Sequence, residues 1–233
     1  MTIELHTWNT PNGRKISVAL EEMGVPYKVI PVNIGKGEQM APAFLKLSPN
    51  NKIPAIVDPD GPNGKPVSIF ESGAILLYLG EKTGKFLATD LRGRMETIEW
   101  LFWQMGGLGP MAGQNHHFRL YAKEKIPYAI ERYVNETNRL YGVMDRRLAD
   151  RRFLAGEAYT IADMASYPWV QPERQGQNID EFPNLKRWKA EIAARPATIR
   201  AYEKGKAVNI TPVVTDDAAK ILFGQKAIKT HTG

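Results

Sequence analysis

The stretch Asn51-Lys-Ile-Pro-Ala-Ile-Val57 decides the fold of this chain. Its second half is a short apolar run that begins at a proline, a pattern typical of a buried strand. A turn-rich segment, Asp58-Pro-Asp-Gly-Pro-Asn-Gly64, separates it from a second short run, Val67-Ser-Ile-Phe70. This order predicts an antiparallel hairpin. A helical pattern from about Ser72 to Lys82 follows the hairpin, so the segment as a whole predicts a ββα unit.

The residues before the hairpin predict a strand, a helix and a second strand. Thr2 to Trp8 is β-like, and Tyr27 to Val32 is strand-like again. Between these strands, apolar residues recur at i, i+3, i+4 and i+7, which is one face of a helix that Gly24 ends. The residues on this face are Ile16, Ala19, Leu20 and Met23. A short helical segment around Phe44 completes a βαβ unit, and the two units predict an α/β domain over residues 1–84.

Helical patterns replace strand patterns from about Asp90 onward. We predict a linker over 85–92, an all-helical domain over 93–208 and a tail over 209–233. The clearest helix turns one face inward in alternating steps of four and three residues. That face consists of Ile130, Val134, Thr137, Tyr141, Met144 and Leu148. An earlier helix reaches two glycines and Pro110, where we expect it to bend or break.

Thr160 and Asp163 form a capping-box pattern at the start of a short helix. A threonine at the N-cap and an acidic residue three positions later satisfy amide donors that have no partner inside the helix. We assign this pair a structural role, whose loss would cost about 1 to 2 kcal/mol.

The composition limits the chemistry open to this chain of 233 residues, which has no cysteine. Disulfides, thiolate metal sites and a cysteine nucleophile are therefore excluded, and thiol chemistry needs a thiol supplied by a ligand. The net charge is +6, but the basic residues are dispersed, which favours a solvated surface over nucleic-acid binding. No apolar run approaches the roughly 18 residues of a membrane span, and no signal-peptide pattern is present. We expect a cytoplasmic protein with no membrane or nucleic-acid partner.

The element order and several strings together resemble the glutathione transferase superfamily. Asn51–Val57 is similar to the family's strand-3 segment, in which the Ile–Pro bond is cis, and Glu71-Ser-Gly-Ala-Ile75 is similar to its Glu/Asp-Ser-x-Ala-Ile motif. Further strings resemble the bacterial nu class of this family. They are Thr10-Pro-Asn-Gly-Arg-Lys15, Ser48-Pro-Asn-Asn-Lys52, Trp100-Leu-Phe-Trp-Gln-Met-Gly-Gly-Leu-Gly-Pro110, Gln114-Asn-His-His-Phe118 and Ile126-Pro-Tyr-Ala-Ile-Glu-Arg-Tyr133.

The resemblance implies a thioredoxin-like domain that binds glutathione, followed by a helical domain, in a homodimer. It also implies a glutathione-dependent disulfide-bond reductase that acts on small disulfides, with glutathione as co-substrate and no metal. Two alternatives stay open. One is conjugation of glutathione to electrophiles or reduction of hydroperoxides with the same thiolate. The other is a non-catalytic regulator that binds glutathione, as a yeast nitrogen regulator with prion behaviour related to this class illustrates.

By the same resemblance, four residues hold the peptide part of glutathione. A cis bond before Pro54 turns the Ile53 backbone toward the ligand, which then pairs like an added strand. Ser72 holds the γ-glutamyl carboxylate at a helix N-terminus, and Glu71 holds the ammonium. Taken alone, Pro54 is an ordinary residue at the start of a strand, and Glu71 and Ser72 are an ordinary helix cap.

At the thiol end the superfamily uses Tyr, Ser or Cys near the junction of the first strand and helix, and this chain has neither Tyr nor Cys before Tyr27. Thr10 stands where serine-type members place their hydroxyl, and Asn12 follows at the start of the helix. We expect both to donate to the glutathione sulfur. Their alternative role is a turn that caps the helix, and both roles are compatible.

The remaining candidates are more weakly indicated. Gln39 and Lys52 are candidates for the glycyl carboxylate, although each is also a common surface residue. Arg132 resembles an arginine that, in the nu class, reaches from the helical domain to a second glutathionyl group. The adjacent His116 and His117 lack a third metal ligand, so we expect them to line the acceptor pocket or to cap a helix.

Overall fold

The computed structural model describes residues 2–208 and 214–226. Strands Ile3–Thr7 (β1) and Tyr27–Pro31 (β2) are parallel neighbours, joined by helix Pro11–Met23 (α1). This helix begins after Thr10, whose hydroxyl accepts a hydrogen bond from the Gly13 amide at 3.3 Å. It ends at Gly24, which has a φ of 70°. Glycine adopts that left-handed conformation at little cost, so Gly24 ends the helix as the sequence predicts.

The predicted hairpin is confirmed. Strand Ala55–Asp58 (β3) is antiparallel to both β1 and Val67–Phe70 (β4), and the sheet order is β2-β1-β3-β4. A short helix, Pro42–Leu45 (α2), lies between β2 and β3, and Ser72–Thr83 (α3) follows β4. Fully buried apolar side chains from β1, α1, β3 and α3 join in one core; they include Leu5, Ile16, Ile56, Ile75 and Leu79. The predicted βαβ then ββα order, a thioredoxin-like arrangement, is therefore the observed one.

The rest of the described chain is helical. After α3 the chain reaches the next helix at Leu91. The helices are Leu91–Trp103 (α4), Gly109–His116 (α5), Pro127–Arg147 (α6), Ile161–Ser166 (α7), Pro172–Gln175 (α8), Pro183–Ala193 (α9), Pro196–Val208 (α10) and Asp216–Phe223 (α11). The inward face predicted for α6 is confirmed at Thr137, Tyr141 and Met144, which are buried. No helix in 2–208 or 214–226 has the length and apolar character needed to cross a membrane.

A bend or break was predicted where the helix that contains Trp100 reaches two glycines and Pro110. The break is not observed, because the helix does not end there. Residues 104–108 form a π-helical turn that joins α4 to α5, and the Gly109 amide donates to the Gln104 carbonyl five residues back. Pro110 then falls in the first turn of α5. Proline lacks an amide hydrogen, and the first turn of an α-helix tolerates this because amides there need no partner within the helix. The wider π-helical turn before Pro110 therefore keeps the chain helical.

One apolar core runs through both domains. It contains Leu20 of α1 and Leu76 of α3 together with Ile161 of α7 and Trp188 of α9. Arg195, just before α10, adds an ion pair with Glu22 of α1, in which Arg195 Nη2 lies 2.8 Å from Glu22 Oε2. The two domains are thus packed against each other, and the groove between them is held in shape.

Candidate functional site

A cleft of about 810 Å³ lies between the two domains. The α/β domain contributes the start of α1, the loop after β2 and the segment before β3. The helical domain contributes α5 and the residues around Trp169, and α11 with its flanking residues adds to the wall. Pockets of about 300 to 1,000 Å³ hold drug-sized ligands, so this cleft has room for a tripeptide and a second small molecule. Among the predicted site residues, those in its wall are Thr10, Asn12, Gln39, Lys52 and Ile53.

Asn12 has a fixed orientation at the inner end of the cleft. The indole nitrogen of Trp169 lies 2.9 Å from Asn12 Oδ1. An indole N–H can only donate, so Asn12 must present its carbonyl oxygen to Trp169. The amide NH₂ of Asn12 is then left to donate to a ligand. Thr10 caps α1 with its oxygen as acceptor, and its hydroxyl proton stays available as well.

His116 lies behind this pair and also lines the cleft, as predicted. Its ring stacks on Trp169, with centroids 6.1 Å apart and 25° between the planes. Burial, with help from the positive charges of Arg174 and Arg119, lowers the pKa of His116 to about 4. The ring is therefore neutral at pH 7. Within residues 2–208 and 214–226, His, Asp and Glu side chains form no cluster of three or more that could hold a metal ion.

The predicted peptide-binding edge precedes β3. The Ile53–Pro54 bond is cis, and the Ile53 backbone makes no backbone hydrogen bond within 2–208 and 214–226. Gln39 is buried, and its Oε1 has no partner in the described residues, while its Nε2 donates to the Ile34 carbonyl at 3.3 Å. Lys52 donates from Nζ to Gln225 Oε1 at 2.7 Å, and an ammonium has further N–H groups for a carboxylate.

Glu71 and Ser72 lie at the start of α3 and outside the set of residues in the cleft wall. Glu71 has a φ of 69°, an unusual backbone conformation for a residue other than glycine. Asn50 links it to the edge before β3, because Asn50 Nδ2 lies 3.4 Å from Glu71 Oε1. Ser72 is buried, and its hydroxyl accepts from Lys15 Nζ at 3.3 Å. The helix N-terminus expected for a carboxylate is thus present beside the cleft.

Arg132 is the predicted site residue that comes from α6. It is exposed on α6 and is absent from the cleft wall. The buried face of α6 passes through Thr137, and with 3.6 residues per turn Arg132 is rotated about 140° from it. The helix was predicted correctly, and Arg132 lies outside the cleft wall of its own chain.

The cleft wall is cationic. Its described residues include Arg14, Lys36, Lys52 and Arg174 and no aspartate or glutamate. Such a wall attracts ligands that carry carboxylates, because opposite charges within a partly dry cleft interact more strongly than in bulk water. Glutathione fits this wall: it brings two carboxylates, and the unpaired groups of Gln39, Ile53 and Asn12 offer it hydrogen bonds.

Two site features were missed at the sequence level. Lys15 ends the string that contains Thr10 and Asn12, and its place among the apolar residues of α1 was a signal that it is buried. Trp169 had no such signal. It lies 157 residues from Asn12, and only the packing of the two domains brings them together.

Comparison with known families decides the assignment. Residues 10–82 match the model of the glutathione S-transferase N-terminal domain, and residues 111–196 match that of the glutathione S-transferase C-terminal domain. The chain belongs to the glutathione S-transferase family. The disulfide-bond oxidoreductase YfcG of Escherichia coli strain K12 is 54% identical to it over 208 residues, which cover 88% of this chain and 96% of that protein.

Solved structures of family members agree with the fold and the ligand class. A glutathione transferase of Pseudomonas fluorescens with two glutathione bound is 48% identical, with a TM-score of 0.83 over 87% of this chain and 92% of that one. One from Pseudomonas putida, with one glutathione disulfide bound per subunit, is 43% identical, with a TM-score of 0.83 over 87% of this chain and 91% of that one.

Proposed function

We propose that this chain is a glutathione-dependent disulfide-bond oxidoreductase that reduces small disulfides. The observation that carries the proposal is the cationic cleft, which suits a ligand with several carboxylates in a chain that has no thiol of its own. The names of the relatives support the reaction: YfcG is a disulfide-bond oxidoreductase, and the Pseudomonas putida protein holds glutathione disulfide.

In this proposal Asn12 and Thr10 stabilise the sulfur of glutathione as an anion. Lowering a thiol pKa from about 8.5 to about 6.5 needs roughly 2.7 kcal/mol of preference for the thiolate. A hydrogen bond to a charged group contributes about 1.5 to 3 kcal/mol, and a helix N-terminus about 0.3 to 2 kcal/mol. The two donors at the start of α1 therefore suffice without a general base. Trp169 fixes the Asn12 amide in the donating orientation.

The other candidates hold the peptide. Ile53, preceding the cis bond to Pro54, offers its free backbone groups to the cysteinyl part. Lys52 binds the glycyl carboxylate, and Gln39 donates to it with the second N–H of Nε2, whose first N–H bonds the Ile34 carbonyl. Ser72 with the N-terminus of α3 binds the γ-glutamyl carboxylate, and Glu71 binds the ammonium. We propose no role for Arg132 in the cleft of its own chain.

The reaction balances without a cysteine in the protein. Glutathione supplies a thiolate that attacks one sulfur of the disulfide, and the other sulfur leaves as a thiolate that takes up a proton. A second glutathione then displaces the remaining thiol from the mixed disulfide. The sum is two glutathione and one disulfide giving glutathione disulfide and two thiols. The role of Asn12 and Thr10 is the same in both exchanges.

The same thiolate could add to an electrophile, which is the second reaction that this cleft supports. An aromatic wall formed by Trp8, Tyr121, Trp169 and Phe223 would suit an apolar acceptor. Parallel assays with a chlorinated nitrobenzene and hydroxyethyl disulfide separate the two activities. A regulator without catalysis would bind glutathione and turn over neither substrate.

Asn12→Ala and Thr10→Ala test the sulfur assignment. Loss of one hydrogen bond to a charged sulfur should lower kcat/KM for hydroxyethyl disulfide by about 10- to 150-fold. The pKa of the bound glutathione thiol, followed by the ultraviolet absorbance of the thiolate, should rise in both variants. Asn178→Ala, which alters an exposed helix cap remote from the cleft, serves as control. The assignment is wrong if neither substitution changes rate or thiol pKa.

Three further points remain proposals. We propose domain limits of 1–84 and 93–208, with a linker over 85–92 and a tail over 209–233. We propose a homodimer, and we propose that the protein acts in the cytoplasm.

A further inference from the structure

Helix α11 lines the cleft and contacts the helical domain on one side. The Phe223 ring packs edge-on against His117, with centroids 4.7 Å apart, and stacks on Tyr121 at 5.7 Å. An ion pair between Lys123 Nζ and Asp216 Oδ2, 3.0 Å apart, holds the other end of the helix. Both ends of α11 are thus attached to the segment that follows α5.

On its other side α11 contacts the α/β domain. The loop after β2 approaches it so closely that a Cβ placed on Gly35 would lie 3.3 Å from the Ala218 Cβ, and one on Gly37 would lie 3.7 Å from Ile221 Cγ2. Just beyond the helix, Gln225 accepts a hydrogen bond from Lys52 at 2.7 Å. The helix therefore bridges the two domains along one side of the cleft.

This bridge forms part of the cleft wall. The residues it contributes are Val214, Thr215, Ala218, Leu222, Phe223 and Gln225. No residue of α11 is fully buried, and Phe223, its anchor, remains 43% exposed. A helix held by so few buried contacts can shift locally at low cost, so it can admit a small ligand without exposing the whole cleft.

We propose that residues 214–225 determine specificity by restricting the acceptor to low-molecular-weight disulfides and excluding disulfides on folded proteins. The inference rests on the function proposed above and names its substrate class. A disulfide on a protein surface reaches the sulfur site only if the surrounding surface can approach the mouth, and α11 occupies that side. A small disulfide enters whole into a cleft of about 810 Å³.

Phe223→Ala in the full-length chain tests this assignment, because it removes the side chain that attaches α11 to His117 and Tyr121. The substrates are two mixed disulfides of glutathione, one with mercaptoethanol and one with a cysteine on a folded protein. We expect the wild-type kcat/KM to be far higher for the small one. Phe223→Ala should raise kcat/KM for the protein disulfide by about 10- to 200-fold, the range over which a pocket contact discriminates. The ratio of kcat/KM for the protein disulfide to kcat/KM for the small disulfide should therefore rise in this variant.

Lys220→Ala is the matched control, because Lys220 lies on the same helix, is exposed and, within the described part of the chain, forms its ion pair with Asp217 at 3.1 Å. It should leave both rates unchanged. The proposal is overturned if the wild type reduces both disulfides equally well. It is also overturned if Phe223→Ala leaves the protein disulfide excluded although hydrogen exchange shows that the amides of residues 216–223 have lost protection.

Calorimetry with the unreactive thioether analogues of both mixed disulfides separates this proposal from the proposed function. In one outcome no variant turns over either disulfide, but the small thioether binds the wild type and the protein thioether binds only Phe223→Ala. The proposed function then fails, and the exclusion of protein ligands by residues 214–225 is supported. If both thioethers bind the wild type with equal affinity, the proposed specificity role of residues 214–225 is refuted, whatever reaction the protein catalyses.

Discussion

At the scale of single residues, Lys15 has the most unusual environment in the described structure. Its side chain is 1% exposed and lies where α1, α3 and the π-helical turn meet. The ammonium donates to Gln104 Oε1 at 2.6 Å and to Ser72 Oγ at 3.3 Å. Burial lowers the pKa of Lys15 to about 7, against the opposing effect of the Glu71 charge. The hydrogen bond from Lys15 positions the Ser72 hydroxyl. Because burial disfavours the charged form, protonated Lys15 lowers the free energy of unfolding.

Lys15→Met should change the pH dependence of stability. Because the pKa of Lys15 is lowered on folding, the unfolded chain binds more protons between pH 7 and about 10, and the wild-type free energy of unfolding rises with pH in that window. The rise should be lost in Lys15→Met, so the difference between the two proteins should change by about 2 kcal/mol between pH 7 and 9. Urea unfolding at several pH values measures it.

Lys28→Met, at an exposed position on β2, is the control for this prediction and should follow the wild-type curve at every pH. Parallel curves for wild type and Lys15→Met would show that the ammonium is not buried at the domain junction. The Tyr groups whose pKa values are raised by burial contribute equally to all three proteins, so they cancel in the comparison.

At the scale of elements, α7 shows how one carboxylate can organise a helical domain. The predicted capping box is confirmed, and Asp163 is fully buried. Besides the Thr160 amide at 3.0 Å, its carboxylate accepts from the Leu154 amide at 3.0 Å and from Trp188 Nε1 at 2.9 Å. The role is structural, as predicted. The hydrogen bonds of Asp163 to Leu154, before α7, and to Trp188, on α9, join residues that lie outside the capping-box pattern.

Asp163→Ala should therefore destabilise the protein more than Thr160→Ala. Thr160→Ala removes one cap, at a cost of about 1 to 2 kcal/mol. Asp163→Ala leaves several buried donors without a partner, at a cost of about 3 to 5 kcal/mol. Urea unfolding measures both, with the exposed Asp180→Ala as control. Equal losses for the Thr160 and Asp163 variants would show that the additional bonds of Asp163 contribute nothing.

At the scale of the whole molecule, one outer face remains apolar. Leu91, Met95 and Phe102 are 75%, 44% and 63% exposed, and their spacing of i, i+4 and i+11 places them on one face of α4. Phe70 of β4 is 37% exposed as well. Exposed apolar side chains grouped on one helix face mark interaction sites in globular proteins. This face is where we expect the two subunits of the proposed homodimer to meet.

Phe102→Glu should convert the dimer to a monomer, because it places a charge in an interface that must become dry. Size-exclusion chromatography with light scattering gives the mass of the wild type and the variant. Ile199→Glu, at an exposed position on α10, is the control and should remain dimeric. A wild-type protein that elutes as a monomer, or a Phe102→Glu variant that stays a dimer, would contradict the assignment of this face.

The sequence by itself determined the order of strands and helices, the hairpin, the ends of α1 and the cap of α7. It also predicted that Thr10, Asn12, Gln39, Lys52 and Ile53 belong to one site. The elements follow from periodicity and turn chemistry, which act between residues close in the chain, whereas the grouping of site residues was implied by the resemblance to the glutathione transferases. Of the predicted bend or break before Pro110, the break does not occur, because a π-helical turn keeps the helix continuous.

Only the tertiary structure decided which groups meet across the cleft. Trp169 orients Asn12 from 157 residues away, and Gln225 reaches Lys52 from 173 residues away. Lys15 joins Ser72 to Gln104, and Arg132 is exposed outside the cleft wall. Hydrogen bonds and charges act over a few ångströms in space, whatever the separation along the chain. The packing of two domains brings such groups together or keeps them apart, and no local pattern records that packing.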